Sequence, residues 1–246
     1  MGRALPLFPL GTVLFPGLVL PLHVFEERYR ALVRHVTALP EGRPREFGVV
    51  AIQRGWEVEQ VAGATRRTPD ADAPSPPGEL EMRASLTLHE VGCTAEVRQV
   101  TEHPDGRFDL VTVGRRRFRI ARVDPGSAPY LLADVEYLSE LLGPPEVADR
   151  LAPRVLAAFR RYLALVRPNQ EEIAEQLPEE PTVLSHLVAA TAVLTIDDRQ
   201  RLLAEPDTVS RLRAELALLS REEALLRRVR AVPVPLGDLA VPMSPN

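Results

Sequence analysis

The sequence predicts an α+β protein in which a strand-rich first half is followed by a helical second half. Up to Gly143, apolar runs of strand length alternate with Pro, Gly and Asp-Gly turns. After Gly143-Pro-Pro145 the apolar residues change to helical spacing, beginning with Val147, Leu151 and Val155. We therefore expect a β subdomain over residues 1–143, a helical bundle over 144–230 and a proline-rich tail over 231–246.

The opening stretch is typical of two strands and a helix. Residues 5–10 and 13–22 are rich in Leu, Val and Phe, and their prolines belong at strand edges or bulges because proline has no N–H to donate. The apolar positions then follow helical spacing, so a helix is expected to begin near Val24. Because proline recurs every few residues, the stretch does not fit a secretory signal or a membrane-spanning helix.

The rest of the first half indicates a buried strand, a loop and a meander. Residues 47–53 form an unbroken apolar run, whereas residues 63–79 carry prolines among small and polar residues and are expected to be a mobile surface loop. The turn His103-Pro-Asp-Gly106 predicts a hairpin, and Gly114 is expected to interrupt the strand that follows it. The strands predicted in this region are 86–90, 93–100, 108–113, 115–123 and 130–137.

The second half shows only helical patterns. Pro153 is expected to kink or restart the first helix, and Asn169 with Glu172 has the spacing of a capping box. The predicted helices are 147–166, 169–176, 183–194, 198–204 and 209–229.

Composition excludes several kinds of chemistry. The sequence has no lysine, so a P-loop ATPase and a Ser/Lys peptidase are both excluded within this chain. Its formal net charge of -4 disfavours general binding to nucleic acid. Cys93 is the single cysteine and cannot form an internal disulfide, which suits a reducing, cytoplasmic location.

Neither a catalytic residue nor a metal site is predicted. The histidines lie far apart along the sequence without the spacing of metal ligands, so we expect no metal and no cofactor. Ser185-His186 falls in an apolar helix without the glycine turn of a nucleophile. The histidines are His23, His35, His89, His103 and His186.

Three motifs occur in a defined order and carry a family resemblance. The first is Leu5-Pro-Leu-Phe-Pro-Leu10 with Phe25-Glu-Glu-Arg-Tyr29; the second is Val91-Gly-Cys-Thr-Ala95; the third is Gly114-Arg-Arg-Arg-Phe118. Together they resemble the N-terminal, or LON, domain of the Lon protease family. The resemblance continues in the helical half, for example at Leu184-Ser-His-Leu-Val-Ala-Ala190, and covers most of residues 5–230.

This resemblance implies a PUA-like twisted β-barrel followed by a helical bundle. In Lon the module helps to recognise unfolded or damaged protein, so such segments are the expected partners here. The ATPase and peptidase regions of Lon have no counterpart in this sequence. The resemblance therefore implies a free-standing, non-enzymatic adaptor, with proteolysis machinery as a further candidate partner and no membrane partner.

Several apolar residues are candidates for binding an extended polypeptide. They are Phe15, Pro16 and Leu18 in a turn, and Trp56 at a strand end. Packing in the core is the competing interpretation for each.

Arg115, Arg117 and Arg119 form a possible polyanion patch, which supports the alternative of an RNA-binding PUA-like module. Strand alternation explains Arg117 and Arg119 equally well as a solvent-exposed face, and no stacking aromatics are interleaved with these arginines.

Overall fold

A computed structural model describes residues 3–40, 42–54, 87–166 and 177–229. Trp56, the predicted loop over residues 63–79, the short helix over 169–176 and the tail over 231–246 lie outside the described residues.

The described residues form strands followed by helices, which confirms the α+β class. The strands are β1 (Arg3–Leu10), β2 (Val19–Val24), β3 (Glu46–Arg54), β4 (Thr87–Leu88), β5 (Val91–Glu102), β6 (Phe108–Asp124) and β7 (Leu131–Tyr137). The helices are α1 (Glu27–Thr37), α2 (Pro145–Val166), α3 (Pro181–Thr191), α4 (Ile196–Ala204) and α5 (Thr208–Val229).

The strands close into a ring. β1 pairs antiparallel with β7 and parallel with β3, and the remaining neighbours run β7-β6-β5-β3. β2 lies outside this ring path and pairs antiparallel with the first part of β6, while β4 pairs with the end of β3. The first part of β6 therefore pairs with β2 and its last part with β7. β6 also pairs with β5.

Phe118 accounts for the glycines at two positions of the sheet. Its side chain is fully buried, and a Cβ atom on either Gly48 or Gly92 would collide with its phenyl group. Because Gly48 of β3 and Gly92 of β5 have no side chain, there is room between the strands for the large aromatic side chain of Phe118 from β6.

The chain divides into two compact units that do not follow the chain order. One comprises Met1–Ser139 with Ile196–Ala204, and the other comprises Glu140–Thr195 with Glu205–Asn246. Helix α4 thus belongs with the strands. Gln200 of this helix donates from Nε2 to the carbonyl of Val91 over 2.6 Å.

Arg117 corrects the predicted solvent-exposed face of β6. Its side chain is only 1% exposed, whereas Arg115 and Arg119 are exposed. Nη1 of Arg117 donates to the carbonyl of Leu203 over 2.8 Å, and Nη2 lies 3.4 Å from the carbonyl of Ser139. Strand alternation predicts an exposed Arg117, but α4 covers this side chain.

Gly114 does not end its strand, and Pro153 does not restart the helix. β6 continues as one strand through Gly114, although its register with β5 shifts between Gly114 and Arg117, and α2 is one helix that includes Pro153. Pro153 and Asp149, whose carbonyl loses its helical donor, are both exposed, so solvent can satisfy that carbonyl.

The second unit has an apolar core built from α2, α3 and α5. Phe159 and Tyr162 stack in this core with ring centroids 6.2 Å apart, and the Tyr162 hydroxyl accepts a hydrogen bond from the Val193 N–H over 2.9 Å. Helix α3 begins earlier than predicted because Pro181 fits the first helical turn and the Glu180 carboxylate caps the N–H groups of Thr182 and Val183.

A charged cluster is buried in the same unit. Arg211 is fully buried, donates to the Ser185 hydroxyl over 3.0 Å and lies 3.6 Å from Glu140. Burial raises the pKa of Glu215 well above its ordinary value, and Arg211 opposes that shift only in part. Neither carboxyl oxygen of Glu215 has a hydrogen-bond partner among the described residues.

None of the helices in the described ranges is both long and apolar enough to span a membrane.

Replacing Arg117 separates a structural role from a surface role. We expect Arg117→Ala to destabilise the protein by about 2–4 kcal/mol, because the carbonyls of Leu203 and Ser139 lose a charged donor. The matched control is Arg119→Ala, an exposed arginine of the same strand, which should change stability by no more than about 0.5 kcal/mol. Equal unfolding midpoints for the two variants in a denaturant titration would contradict the assignment.

Glu215→Gln should stabilise the protein above neutral pH. A carboxyl group with a raised native pKa binds more protons in the folded than in the unfolded state, so stability falls as pH rises from the ordinary glutamate value of 4.5 through the native pKa. We expect a gain of about 1–3 kcal/mol at pH 8.

The gain should shrink as the pH approaches 4.5, and thermal unfolding at several pH values measures it. Glu179→Gln, at an exposed glutamate of the same unit, is the control. A pH-independent difference between Glu215→Gln and the native protein would refute the buried-carboxyl explanation.

Candidate functional site

The turn before β2 is fixed to β6 at Gly114. The Gly17 N–H donates to the Gly114 carbonyl, and the Gly114 N–H donates to the Leu18 carbonyl, both over 2.8 Å. A Cβ atom on Gly114 would collide with the backbone carbonyl of Phe15, so this close approach requires glycine. Gly17 has a φ of 80°, which also favours glycine.

The structure places the predicted turn anchors mainly in the interior. Phe15 is completely buried, which excludes it as an exposed hydrophobic anchor. Pro16 is half-buried, and Leu18 packs partly against the apolar core of the first unit. The turn is held against Gly114 of β6, and this contact buries Phe15 fully and Leu18 in part.

β2 presents an open edge instead. Among the described residues it pairs with β6 alone. Antiparallel pairing alternates the direction of the backbone groups along a strand. The Leu18 carbonyl accepts from the Gly114 N–H and the Leu20 carbonyl accepts from the Thr112 hydroxyl, so both face β6. The carbonyls of Val19, Pro21 and His23 therefore point to the open edge, together with the N–H groups of Val19 and His23.

Pro21 lacks the N–H group that another residue at this position would point to the open edge. An edge strand with a full set of donors and acceptors is prone to pair with a second copy, and proline weakens such pairing. The edge remains able to accept hydrogen bonds along its length.

An apolar cavity of about 190 Å³ adjoins β2. Phe8 and Leu10 come from β1, Leu22 comes from β2, and Tyr29 comes from the first turn of α1. Phe8 and Tyr29 stack with ring centroids 4.1 Å apart, which fixes one wall of the cavity. Its other lining residues are Pro21, His23, Val24, Phe25 and Glu26.

An exposed apolar side chain lines the cavity. Phe25 is 40% exposed, and Val19, at the start of β2, is 62% exposed. A helix that begins near Val24, as the sequence predicts, would include Phe25, but α1 begins at Glu27 and Phe25 lies in the connection between β2 and the helix. A large apolar side chain exposed beside a cavity is typical of a binding surface.

Two histidines and an aspartate meet at the end of β2. His23 lies opposite Asp109 in the β2–β6 register, with Nδ1 2.6 Å from Oδ1. Nε2 of His103 is 2.7 Å from Oδ2 of the same carboxylate. Hydrogen bonds from His23 and then His103 hold the pKa of Asp109 below its ordinary value.

Two histidines that are far apart along the sequence thus lie close together in the fold. The β2–β6 pairing and the β5–β6 hairpin bring together residues that are far apart in sequence. The sequence alone gives no sign of Asp109 as a site residue, because only the strand register reveals its two partners.

The polyanion patch is smaller than predicted. Arg115 is exposed but pairs with Glu96 over 2.9 Å, and Arg117 is buried. Arg116 pairs with Glu46 over 3.0 Å and lies 3.9 Å from the centroid of the Tyr137 ring.

A second cavity of about 290 Å³ lies in the helical unit. Its lining combines Pro153, Leu156 and Leu184 with the carboxylates Asp149 and Glu179. No open strand edge accompanies it in the described part of that unit, so the surface at β2 is the stronger candidate for binding an extended chain.

Sequence comparison identifies the family. A family model described as the ATP-dependent protease La (LON) substrate-binding domain matches residues 4–221. The chain belongs to this family. The matched domain of Lon is its substrate-binding domain and not a catalytic one.

Individual relatives agree with this assignment. The chain is 33% identical to Lon protease 1 of Thermus thermophilus over 163 residues, which are 64% of this chain and 19% of that protein. It is 28% identical to Lon protease 2 of Sorangium cellulosum over 230 residues, which are 91% of this chain and 25% of the relative. The chain thus spans a quarter or less of the length of these relatives.

Solved structures support the fold. The N-terminal domain of the Mycobacterium avium complex Lon protease has a TM-score of 0.62 at 19% identity, covering 89% of this chain and 98% of that one. The Lon N-terminal domain protein of Xanthomonas campestris has a TM-score of 0.52 at 24% identity, covering 87% and 98%.

Gly114→Ala tests whether the close approach of the turn fixes β2. We expect a loss of about 1–3 kcal/mol in stability, because the added methyl group must displace the Phe15 carbonyl. Gly126→Ala is the matched control, since a Cβ there meets nothing closer than 4.0 Å. Chemical denaturation of both variants is the measurement, and an unchanged midpoint for Gly114→Ala would contradict the constraint.

Proposed function

We propose that this LON domain is a non-enzymatic, cytoplasmic module that recognises extended, apolar polypeptide segments and acts as an adaptor for unfolded or damaged protein. Membership of the substrate-binding family supports a role in substrate recognition. The observation that carries the finer proposal is the open edge of β2 beside an apolar cavity and the exposed Phe25.

The open edge suits recognition by strand addition. An extended segment can add itself to β2, donating to the outward carbonyls of Val19, Pro21 and His23. Main-chain hydrogen bonds of this kind depend little on sequence, which suits a binder of many clients. Because folded proteins have few unpaired extended segments, the same requirement favours unfolded chains.

The cavity adds a preference for apolar side chains. Its volume of about 190 Å³ lies below the ~300–1,000 Å³ of typical small-molecule sites. It therefore fits a single aliphatic or aromatic side chain from the client. Phe25 lines the cavity and is 40% exposed, so it can cover that side chain, and burial of apolar surface provides the affinity.

The test is a titration of the protein against one client in two forms. A reduced and carboxymethylated protein, which stays unfolded, and its native form are labelled and followed by fluorescence anisotropy. We expect the unfolded form to bind at least about tenfold more tightly, a difference of about 1.4 kcal/mol. Equal affinity for both forms would overturn the proposal.

A matched pair of variants locates the surface. Phe25→Ser should weaken binding of the unfolded client about fivefold or more, because its apolar contact is lost. Val123→Ser removes a valine that is 37% exposed, close to the 40% of Phe25, but lies elsewhere on the sheet, and should change affinity less than twofold. Equal effects of the two substitutions would argue against this surface.

The same assay also tests the RNA alternative. Binding to single-stranded RNA that falls steeply with salt and is lost in an Arg115→Ala, Arg119→Ala double variant would favour that function over the one proposed.

A further inference from the structure

We propose that His23, His103 and Asp109 form a binding site for a first-row divalent transition-metal ion, with Zn²⁺ as the representative ion. The proposal does not depend on polypeptide recognition. It rests on three potential ligand atoms, one from each side chain, that all lie within 4.8 Å of one another.

The distances fit replacement of two hydrogen bonds by one ion. Asp109 oxygens lie 2.6 Å from Nδ1 of His23 and 2.7 Å from Nε2 of His103. Zinc binds histidine nitrogen and carboxylate oxygen at about 2.0–2.2 Å, so ligand atoms in a tetrahedral site lie about 3.3 Å apart. Small side-chain rotations bring the three groups to that separation without moving the strands.

The backbone holds the three residues in place. His23 and Asp109 are direct partners in the β2–β6 register, and Thr101, two residues before His103, pairs with Asp109 from the β5 side. The hairpin is tied by hydrogen bonds of 2.8 Å from the His103 N–H to the Arg107 carbonyl and from the Gly106 N–H to the His103 carbonyl. A site on paired strands and a tight hairpin loses little entropy on binding.

The ligand types select the class of ion. Two imidazoles and one carboxylate suit Zn²⁺, Co²⁺ and Ni²⁺, whereas Ca²⁺ and Mg²⁺ prefer oxygen ligands alone. The three side chains are 38–52% exposed, so an ion has access from solvent. Three protein ligands leave at least one position for water or for a group of a bound molecule.

Binding is expected to cross-link β2 to the β5–β6 hairpin. An ion that binds only the folded state stabilises it in proportion to the logarithm of its free concentration. The unfolding temperature should therefore rise with added Zn²⁺ until the site is saturated.

The experiment uses the full chain, without an affinity tag and after treatment with a chelator. Isothermal titration with ZnCl₂ should show one saturable site with a dissociation constant of about 10 µM or tighter. Co²⁺ should give the intense visible absorption of a four-coordinate ion that has nitrogen ligands.

Two substitutions test the ligands, and a third is the control. His103→Gln and Asp109→Asn should each weaken Zn²⁺ binding about tenfold or more and remove the thermal shift. His35→Gln, at an exposed histidine outside the cluster, should bind like the native protein. Circular dichroism without metal establishes that each variant is folded.

Two results would overturn the site: no saturable heat with ZnCl₂ up to about 100 µM, or equal Zn²⁺ binding by His35→Gln and both cluster variants. Either result would leave Asp109 as a simple hydrogen-bond bridge between two surface histidines.

Discussion

The close contact between Gly114 and the turn before β2 determines how the candidate surface is built. The paired hydrogen bonds between Gly114 and residues 17 and 18 set the start of the β2–β6 register. Counting from there, Val19 lies opposite Val113 and His23 opposite Asp109. A shift by one residue would turn Leu20 and Leu22 away from the core and separate His23 from Asp109. The open edge and the histidine cluster therefore share one structural cause.

A second constraint joins distant parts of the sequence into the first unit. The last carbonyls of a helix have no partner within the helix. Arg117 supplies a charged donor to one of them, at Leu203 near the end of α4, where the helix dipole also favours a cation. Gln200 of the same helix bonds the Val91 carbonyl. Polar groups, rather than apolar spacing alone, thus specify which part of the chain completes the unit.

Local patterns in the sequence predicted most elements, and the errors occur where distant residues decide the outcome. Periodicity predicted α1, the meander and the helical half, and the three motifs predicted the family. Alternation failed at Arg117 because a helix some 80 residues later covers it. A glycine within an apolar run predicts a break at Gly114, although its role is to admit the Phe15 carbonyl. The histidine cluster depends on register, which no sequence spacing reveals.

The proposed metal site and the open edge of β2 both include His23 but use different parts of it. In a strand, side chains stand perpendicular to the sheet, whereas backbone groups lie within it. The imidazole contacts Asp109 across the β2–β6 pair, while the His23 carbonyl and N–H point to the open side of β2. An ion held by the side chain therefore leaves the backbone edge accessible. Because the ion would fix the end of β2, a client would pair with a more ordered strand and lose less entropy on binding.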